Sequence, residues 1–392
     1  MTTLLLIIIY ISFISLGLPD SLIGTTWPSM QADLAVPISF AGVLSMIVTG
    51  GTIISSFFSE RIIRRLGTGL VTAISVSMTA AALLGFHFAP SFIWLIFLAI
   101  PLGFGAGSID AALNNFVAIH YEARHMSWLH CFWGIGTTIG PIIMSRYLPR
   151  NQGWKLGFGT IGIVQACLVI LLFLSLPLWN KVKNVEQEST DDSNESLKLQ
   201  DILKIKGVKP AFISFFSYCA LEATTGLWGS SFLVMNKGIS SNIAARWISL
   251  YYFGITLGRF ISGFVTMKIS NKQMIRLGQF IIALGVLLII VPFGNLSLLL
   301  GFFLIGLGCA PIFPCMLHET PRRFGKNLSQ ALMGIQMASA YIGSTFMPPL
   351  FGTIAETGAI SFFPIYLFII LLIMIVSSEK INSTLANKNK TL

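Results

Sequence analysis

The chain has 392 residues, of which 54% are hydrophobic and only 10% are charged, and its mean hydropathy is +0.80. A soluble domain carries about 25% charged residues, so this composition excludes a water-soluble globular protein. The formal net charge of +10 comes from basic residues in short segments between apolar stretches, which argues for membrane topology and against nucleic-acid binding.

Apolar stretches of about 20 residues, the length that crosses a hydrocarbon core ~30 Å thick, recur from end to end. The first one lacks a basic leader and is followed by more, so we predict a retained helix rather than a signal peptide. The sequence predicts an all-α polytopic membrane protein with twelve transmembrane helices. The predicted spans are 3–28, 38–58, 69–88, 92–118, 128–148, 156–179, 208–235, 243–267, 275–293, 296–317, 329–354 and 360–377.

A polar segment at residues 180–207 contains VEQESTDDSNES and interrupts this pattern. Its mixed charges predict a flexible cytoplasmic linker, with an amphipathic stretch near residues 197–205. The linker separates two predicted six-helix bundles, 1–179 and 208–378, and a cytoplasmic tail follows at 379–392. Spans two and eight, and spans five and eleven, place small residues alike, which favours pseudo-symmetric halves such as secondary transporters commonly have.

The distribution of Lys and Arg predicts the orientation. Of the 25 Lys and Arg residues, 19 fall in the predicted inner loops and tail, and Arg259 lies within a span. Both termini are therefore predicted to be cytoplasmic, in a bacterial plasma membrane. The five residues in outer loops are Arg146, Arg150, Lys155, Lys237 and Arg246.

Three acidic residues, Asp20, Asp110 and Glu222, fall inside predicted spans. A charged side chain at the bilayer centre costs about 2.5–3.5 kcal/mol, so such a group is expected to face a cavity, pair with a cation or bind a proton. Asp110 has Asn114 one turn later on the same helix face, and burial favours the protonated form of a carboxyl group. We predict that Asp110 and Glu222 couple protons; the alternative for Asp110 is a permanent bond to a neighbouring helix.

Asp20 shares a small, polar helix face with Gly17, Ser21 and Gly24. This face predicts a substrate-binding wall, and the alternative is a helix-end acid near the outer surface. The partner of Glu222 stays open between Arg259, a sugar hydroxyl and a proton. Arg259 itself has three candidate roles: pairing with Glu222, binding an anionic substrate, or capping neighbouring helix ends.

Sites for small polar solutes combine aromatic rings, which stack on apolar faces of the ligand, with polar groups that bind its hydroxyls. The predicted substrate contacts within the spans are polar or aromatic, and each aromatic has packing or lipid contact as its alternative. His130 and His318, at inner ends of spans, are either proton relays or interfacial residues. The predicted substrate-binding residues are Asp20, Asn114, Asn115, Trp133, Trp228, Tyr251, Gln336 and Tyr341.

The segment SFFSERIIRR (56–65) resembles the loop motif that joins spans two and three in the major facilitator superfamily. The resemblance places an acid at Glu60 and cations at Arg61, Arg64 and Arg65, with Ser56 and Ile63 in place of the motif's two glycines. An acid beside arginines at a helix mouth predicts a charge network that opens and closes with conformation, a conformational gate. The alternative is a simple positive-inside anchor.

Three further segments resemble the fucose permease-like, proton-coupled sugar branch of that superfamily. They are PLGFGAGSIDAALNNFVA (101–118), LEATTGLWGSSFLV (221–234) and GLGCAPIFPCML (306–317), the last with an APIFP turn. The resemblance implies the fold of two six-helix bundles. It also implies that the span-four acid, Asp110, takes part in proton coupling and that the span-one acid, Asp20, binds sugar.

The leading hypothesis is therefore proton-coupled symport of a sugar or similar small polar solute by alternating access. The alternative is proton-antiport efflux of a drug or metabolite, because GTTIGP (136–141) partly resembles an antiporter motif; a sensor or scaffold is a third. No Walker loop, metal-ligand spacing or nucleophile elbow occurs, so no enzyme, cofactor or metal is predicted. The expected partners are a small-molecule substrate, protons and the lipid bilayer, with no nucleic acid, and the expected state is a monomer.

Overall fold

The computed structural model describes residues 2–180, 204–266, 268–291 and 293–388. Nearly all of these residues are helical, and no β-strand occurs among them. Most of the predicted linker lies outside the described residues, as do the last four residues of the predicted tail.

Seven helices precede the linker. They are α1 (Thr2–Asp20), α2 (Leu22–Leu34), α3 (Phe40–Leu66), α4 (Thr68–His87), α5 (Phe92–His120), α6 (Ala123–Tyr147) and α7 (Gly153–Asn180). Only Ser21 separates α1 from α2, and the two together form one apolar stretch, Thr3–Leu34. Pro19 stands two residues before Ser21 and has no N–H to donate to the helix. Predicted span one therefore corresponds to both helices.

Among the described residues, seven helices follow the linker, and a short π-turn (Ala355–Ala359) and a 3₁₀ turn (Ile360–Phe362) join the last two. They are α8 (Val208–Met235), α9 (Ser241–Val265), α10 (Asn271–Ile290), α11 (Asn295–Cys309), α12 (Ile312–Phe324), α13 (Lys326–Ile354) and α14 (Phe363–Lys388). The APIFP segment is where α11 gives way to α12, and the two again form one apolar stretch, Asn295–Phe324.

Each of the twelve predicted spans is helical, but four helices extend at least six residues beyond the predicted ends: α2 to Leu34, α3 to Leu66, α12 to Phe324 and α14 to Lys388. The helix α3 continues to Leu66 instead of ending at residue 58, so the segment 56–65 lies on a helix and not in a loop. Only Gly67, with a φ of 80°, separates α3 from α4. The helix α14 continues to Lys388 instead of residue 377. Hydropathy marks where a helix leaves hydrocarbon, and charged turns remain helical beyond that point.

Nine stretches of the described residues are long and apolar enough to cross a membrane, and the last of them, Leu332–Thr384, contains parts of both α13 and α14. Two helices, α6 and α8, fall outside these nine stretches. They are the helices that carry Trp133 and Glu222.

One compact unit, called unit 1, comprises Met1–Thr190 and Gly226–Phe253. Within it α4 packs on α5 and α7, α3 packs on α5, and α1 packs on α6. An apolar core in this unit gathers side chains from α1, α4, α5, α6 and α7, which hold these helices together. Core members include Leu5, Ile9, Phe13, Val76, Ile109, Leu113, Phe116, Leu168 and Leu172.

The other compact unit, called unit 2, comprises Asp191–Thr225 and Gly254–Leu392. Here α10 packs on α11, α12 and α14, and α12 packs on α13. A smaller apolar cluster of Val208, Phe212 and Leu332 joins α8 to α13. The boundaries of the predicted bundles stay a prediction, because the unit boundaries fall inside α8 and α9.

Glycines allow the same pairs of spans to approach in both halves of the chain. In the first half, Gly103 of α5 lies against the Val48 backbone of α3, so spans two and four touch. In the second half, Gly254 of α9 lies against the Phe303 backbone of α11, which pairs spans eight and ten. A Cβ at either glycine would overlap the facing carbonyl oxygen, so small residues are needed there.

Spans one and five repeat this relation in spans seven and eleven. Gly136 of α6 lies against Ile14 of α1, and Gly343 of α13 lies against Phe216 of α8. Both glycines stand in the two segments, 134–141 and 339–349, whose likeness indicated an internal repeat. These contacts support two halves built on one helix-packing plan.

Candidate functional site

Asp20 and Trp133 meet in unit 1 through a short hydrogen bond. The Trp133 Nε1 donates to Asp20 Oδ2 at 2.7 Å. Gly17 and Gly136 bring the backbones of α1 and α6 close together, which places the indole within reach of the end of α1. Asp20 is exposed although every other residue from Ser15 to Pro28 is buried. The carboxylate is therefore accessible within an otherwise packed segment, and its place in a substrate-binding wall stays a prediction.

Asp110 and Asn114 form a second polar pair in unit 1. The Asn114 Nδ2 donates to Asp110 Oδ1 at 2.9 Å and to the Asp110 backbone oxygen at 2.9 Å. Both side chains are half-buried, and Asn115 beside them is exposed. This confirms the helix-face pairing of Asp110 with Asn114 that the sequence spacing predicts.

No basic side chain of the described residues forms an ion pair with Asp20 or Asp110. Their recorded partners are a neutral indole and a neutral amide. For the half-buried Asp110, a charge held partly away from water without a compensating charge is costly, and a bound proton removes that cost.

Glu222 and Arg259 form an ion pair in unit 2. Arg259 Nη2 lies 3.8 Å from Glu222 Oε1, and the two side chains are 20% and 22% exposed. Of the partners that the sequence leaves open for Glu222, the structure brings Arg259 to it. Glu222 thus differs from the two aspartates, because its charge is balanced by a cation.

The remaining predicted substrate contacts lie in different surroundings. Trp228 and Tyr251 are fully buried, and Tyr251 packs edge-on against Tyr252 with ring centroids 5.0 Å apart. Gln336 is 2% exposed, and its Oε1 accepts a hydrogen bond from Thr320 Oγ1 at 2.9 Å. Tyr341 is half-buried. In this conformation Trp228, Tyr251 and Gln336 are enclosed by protein, so their role as substrate contacts stays a prediction.

The predicted gate residues lie on the last two turns of α3. Arg64 Nη2 is 3.6 Å from Glu60 Oε1, one turn away in the same helix, and the two side chains are 73% and 83% exposed. Such an exposed pair contributes about 0–1 kcal/mol. No hydrogen bond or ion pair of Glu60 with another helix occurs among the described residues, so the inter-helix gate also stays a prediction.

One buried acid that the sequence did not single out is Glu319 in α12. It is 7% exposed, Arg323 Nε lies 3.3 Å from its Oε2, and its Oε1 accepts a hydrogen bond from Asn271 Nδ2 at 3.0 Å. Arg323 also donates to Asn382 Oδ1 at 3.2 Å, so the cluster ties α10, α12 and α14 together. The available signal was Glu319 with Arg323 four residues later, the spacing of a helical ion pair.

His318 and His130, the two histidines considered as proton relays, have different neighbours. His318 Nδ1 is 3.1 Å from Asn271 Nδ2 beside the Glu319 cluster, and His130 lies edge-on to Phe13. A histidine that the sequence analysis passed over, His125, is 2.7 Å from the Tyr10 hydroxyl. Tyr121 stands beside His125, and burial raises the pKa of the Tyr121 phenol above its ordinary value.

Comparison with known proteins identifies the family. The model of the Major Facilitator Superfamily matches residues 9–245 and 210–381. The chain belongs to this superfamily. It is therefore a membrane transporter built of helical bundles and not an enzyme.

Two relatives and one solved structure are similar to this chain over most of its length. The glucose/mannose transporter GlcP of Bacillus subtilis (strain 168) is 24% identical, over 82% of this chain and 78% of its own length. The cis,cis-muconate transport protein of Acinetobacter baylyi (strain ATCC 33305 / BD413 / ADP1) is 20% identical, over 85% and 82%. The crystal structure of a D-xylose-proton symporter superposes with a TM-score of 0.69 at 14% identity, over 94% of this chain and 96% of that one, which shows the shared fold.

Proposed function

We propose that this secondary transporter is a proton-coupled symporter that carries a neutral sugar or related polyol by alternating access. We place it in the fucose permease-like branch and in the plasma membrane, with both termini in the cytoplasm. The observation that carries the proposal is the pair of carboxyl groups in unit 1, Asp20 and Asp110, which have hydrogen-bond donors as partners but no cation among the described residues.

Asp110 is assigned the transported proton. The amide of Asn114 holds one carboxyl oxygen, and the other oxygen can bind and release a proton. Protonation removes the charge, which lowers the cost of the states in which Asp110 is shielded from water. Glu222 has Arg259 to balance its charge. We therefore assign proton coupling to Asp110 alone and no longer to Asp110 and Glu222 together.

Asp20 and Trp133 are assigned to the substrate. A carboxylate accepts hydrogen bonds from sugar hydroxyls, and an indole presents an apolar face to a sugar ring. The hydrogen bond between them fixes both groups before a ligand arrives, which reduces the entropy lost on binding. The names of two similar proteins, a glucose/mannose transporter and a D-xylose-proton symporter, point to the same substrate class.

The proposed cycle starts with protonation of Asp110, which permits sugar to bind beside Asp20. The halves then rock about the loaded site, and loss of the proton on the inner side releases the sugar. In this cycle, a substitution at Asp110 should abolish proton coupling, and a substitution at Asp20 should weaken sugar binding.

The test is uptake of a panel of neutral sugars by the purified full chain in proteoliposomes, with and without an inward proton gradient. We expect the gradient to drive accumulation by the unaltered protein. Asp110→Asn should abolish accumulation but retain exchange of sugar between the two sides, because the neutral amide mimics a permanently protonated carboxyl. Asp20→Asn should weaken sugar binding about tenfold or more, since a hydrogen bond to a charged group contributes about 1.5–3 kcal/mol.

Glu356→Gln, which removes an exposed acid away from both polar pairs, is the control and should transport as the unaltered protein does. Absence of gradient-driven uptake for every sugar would refute the proposal. Normal accumulation by Asp110→Asn would refute the assignment of the proton. Movement of a compound against the direction of the proton gradient would instead favour antiport efflux.

A further inference from the structure

The pair of Glu222 and Arg259 provides a balanced donor and acceptor in unit 2. The gap of 3.8 Å between Arg259 Nη2 and Glu222 Oε1 exceeds the usual hydrogen-bond length of about 2.7–3.2 Å. A hydroxyl oxygen about 2.8 Å from each of these atoms can accept from the guanidinium and donate to the carboxylate. The geometry therefore suits a hydroxyl group that bridges the two side chains.

Both side chains remain accessible to a ligand. About a fifth of each is exposed, whereas Tyr218, one turn before Glu222 in α8, is 1% exposed. The Tyr218 hydroxyl has no hydrogen-bond partner among the described residues, and it lies close enough to Glu222 and Arg259 to interact with their charges. A buried hydroxyl without a partner is costly, and Tyr218 adds a third polar side chain to this part of unit 2.

The charges of the pair decide which ligands it accepts. Arg259 alone would attract a carboxylate, because guanidinium groups bind carboxylates through paired hydrogen bonds. With Glu222 beside it, a carboxylate ligand meets a like charge and must compete for the same guanidinium. An uncharged polyol is not repelled by Glu222 and does not compete with it for the guanidinium, so its hydroxyls can hydrogen-bond to both side chains.

We infer that Glu222 and Arg259 form a charge-neutral hydroxyl-binding element, in which Glu222 excludes carboxylate-bearing analogues of the sugar. The inference rests on the proposed sugar symport and gives it a chemical selectivity. It also gives Arg259 a role: it binds hydroxyls while its charge is cancelled, instead of binding an anionic substrate or capping helix ends.

The experiment measures ligand-dependent thermal stabilisation of the purified full chain by neutral hexoses and by the aldonic acid of each, such as D-glucose against D-gluconate. Glu222→Gln leaves Arg259 unbalanced, so we expect hexose affinity to fall about tenfold and gluconate affinity to rise about tenfold. Arg259→Gln should lose hexose affinity by a similar factor without any gain for gluconate. The double variant, neutral again, should regain hexose selectivity over gluconate.

Glu379→Gln is the matched control, since it removes a carboxylate from another ion pair of unit 2, with Arg276 at 2.6 Å. It should leave the ratio of hexose to gluconate affinity unchanged. A purely structural ion pair would change stability without ligand but would not move this ratio in opposite directions. If one single variant fails to fold, the double variant still reports the ratio.

Three outcomes would overturn the inference. Equal ratios in the unaltered protein and in both single variants would do so, and so would gluconate binding by the unaltered protein as tight as hexose binding. A gain for gluconate in Arg259→Gln would reverse the assigned roles. Failure of the unaltered protein to bind any neutral sugar would instead refute the proposed symport itself, which separates the two results.

Discussion

Trp133 and Trp154 make the same hydrogen bond at two places in unit 1. Each donates its indole N–H to an aspartate at 2.7 Å, Trp133 to Asp20 and Trp154 to Asp33. Both aspartates are exposed, but Trp154 is fully buried and joins α7 to α2, whereas Trp133 is half-buried and the neighbours of Asp20 along the chain are buried. The two bonds are alike in geometry, and their surroundings imply different roles.

Trp133→Phe should therefore weaken sugar binding, and Trp154→Phe should not. Loss of the indole N–H frees the Asp20 carboxylate to move, and we expect about tenfold weaker sugar affinity, which corresponds to about 1.4 kcal/mol. Trp154→Phe should lower the free energy of unfolding by about 0.5–1.5 kcal/mol without changing affinity. Sugar titrations and thermal melts on both variants provide the measurement, and equal affinity losses in the two would contradict the assigned roles.

The sequence alone identified the acidic residues of the candidate site, but it identified few of the side chains that they contact. An acid inside an apolar span is visible because its cost is high, which drew attention to Asp20, Asp110 and Glu222. Asn114 was paired correctly with Asp110 because both lie on one helix face. The contact of Asp20 with Trp133 joins residues 113 positions apart, and nothing in periodicity reports which helices pack together.

At the scale of helices, α2 and α8 meet at a point that leaves no room for side chains. A Cβ on Gly24 would overlap the Gly226 carbonyl oxygen and lie 2.7 Å from Leu227 Cα. Ser230 Oγ also donates to the Thr25 backbone oxygen at 3.0 Å across the same contact. All five residues belong to unit 1. The contact begins one helical turn beyond Asp20, so its opening would change access to that carboxylate.

Gly24→Val should penalise the conformation in which α2 touches α8. Overpacking costs about 1–3 kcal/mol, which shifts a two-state equilibrium by roughly five- to 150-fold. Spin labels on the exposed residues Ala32 and Asn236 should show a longer distance in the variant, and sugar accumulation should fall.

Gly50→Val provides the matched control for this variant. Gly50 is also helical, but a Cβ there would have no neighbour within 4 Å. Its distance distribution and uptake should match those of the unaltered protein. If Gly24→Val behaves as Gly50→Val does, the contact between α2 and α8 has no part in the transport cycle.

The helices themselves were largely predictable, and their ends were not. Hydropathy locates a span because the hydrocarbon core sets a minimum length. It cannot follow α3 through Glu60 and Arg64 to Leu66, since those exposed, charged turns resemble a loop in composition. Glu319 was missed for a related reason: its neighbours Arg322 and Arg323 made the segment resemble a cytoplasmic loop, although α12 holds the carboxylate in a buried cluster.

At the scale of the molecule, the family match and the repeated glycine contacts support a chain of two related halves. The weak likeness between segments 134–141 and 339–349 was the sequence signal for this repeat. It was detectable because close helix packing in a bilayer requires small residues at defined places.

The orientation of the whole molecule rests on the bias of Lys and Arg toward one side, and α9 offers a direct test of it. Ser240 precedes this helix and Lys268 follows it, and both residues are exposed. Because α9 is an apolar stretch long enough to cross the membrane, the two positions should lie on opposite sides.

In a chain stripped of its five cysteines, a membrane-impermeant maleimide should label Ser240→Cys in intact cells. Lys268→Cys should react only after permeabilisation, since positive charge is retained on the cytoplasmic side. The reverse pattern would overturn the predicted orientation and leave the fold intact, whereas labelling of both positions in intact cells would contradict α9 as a span.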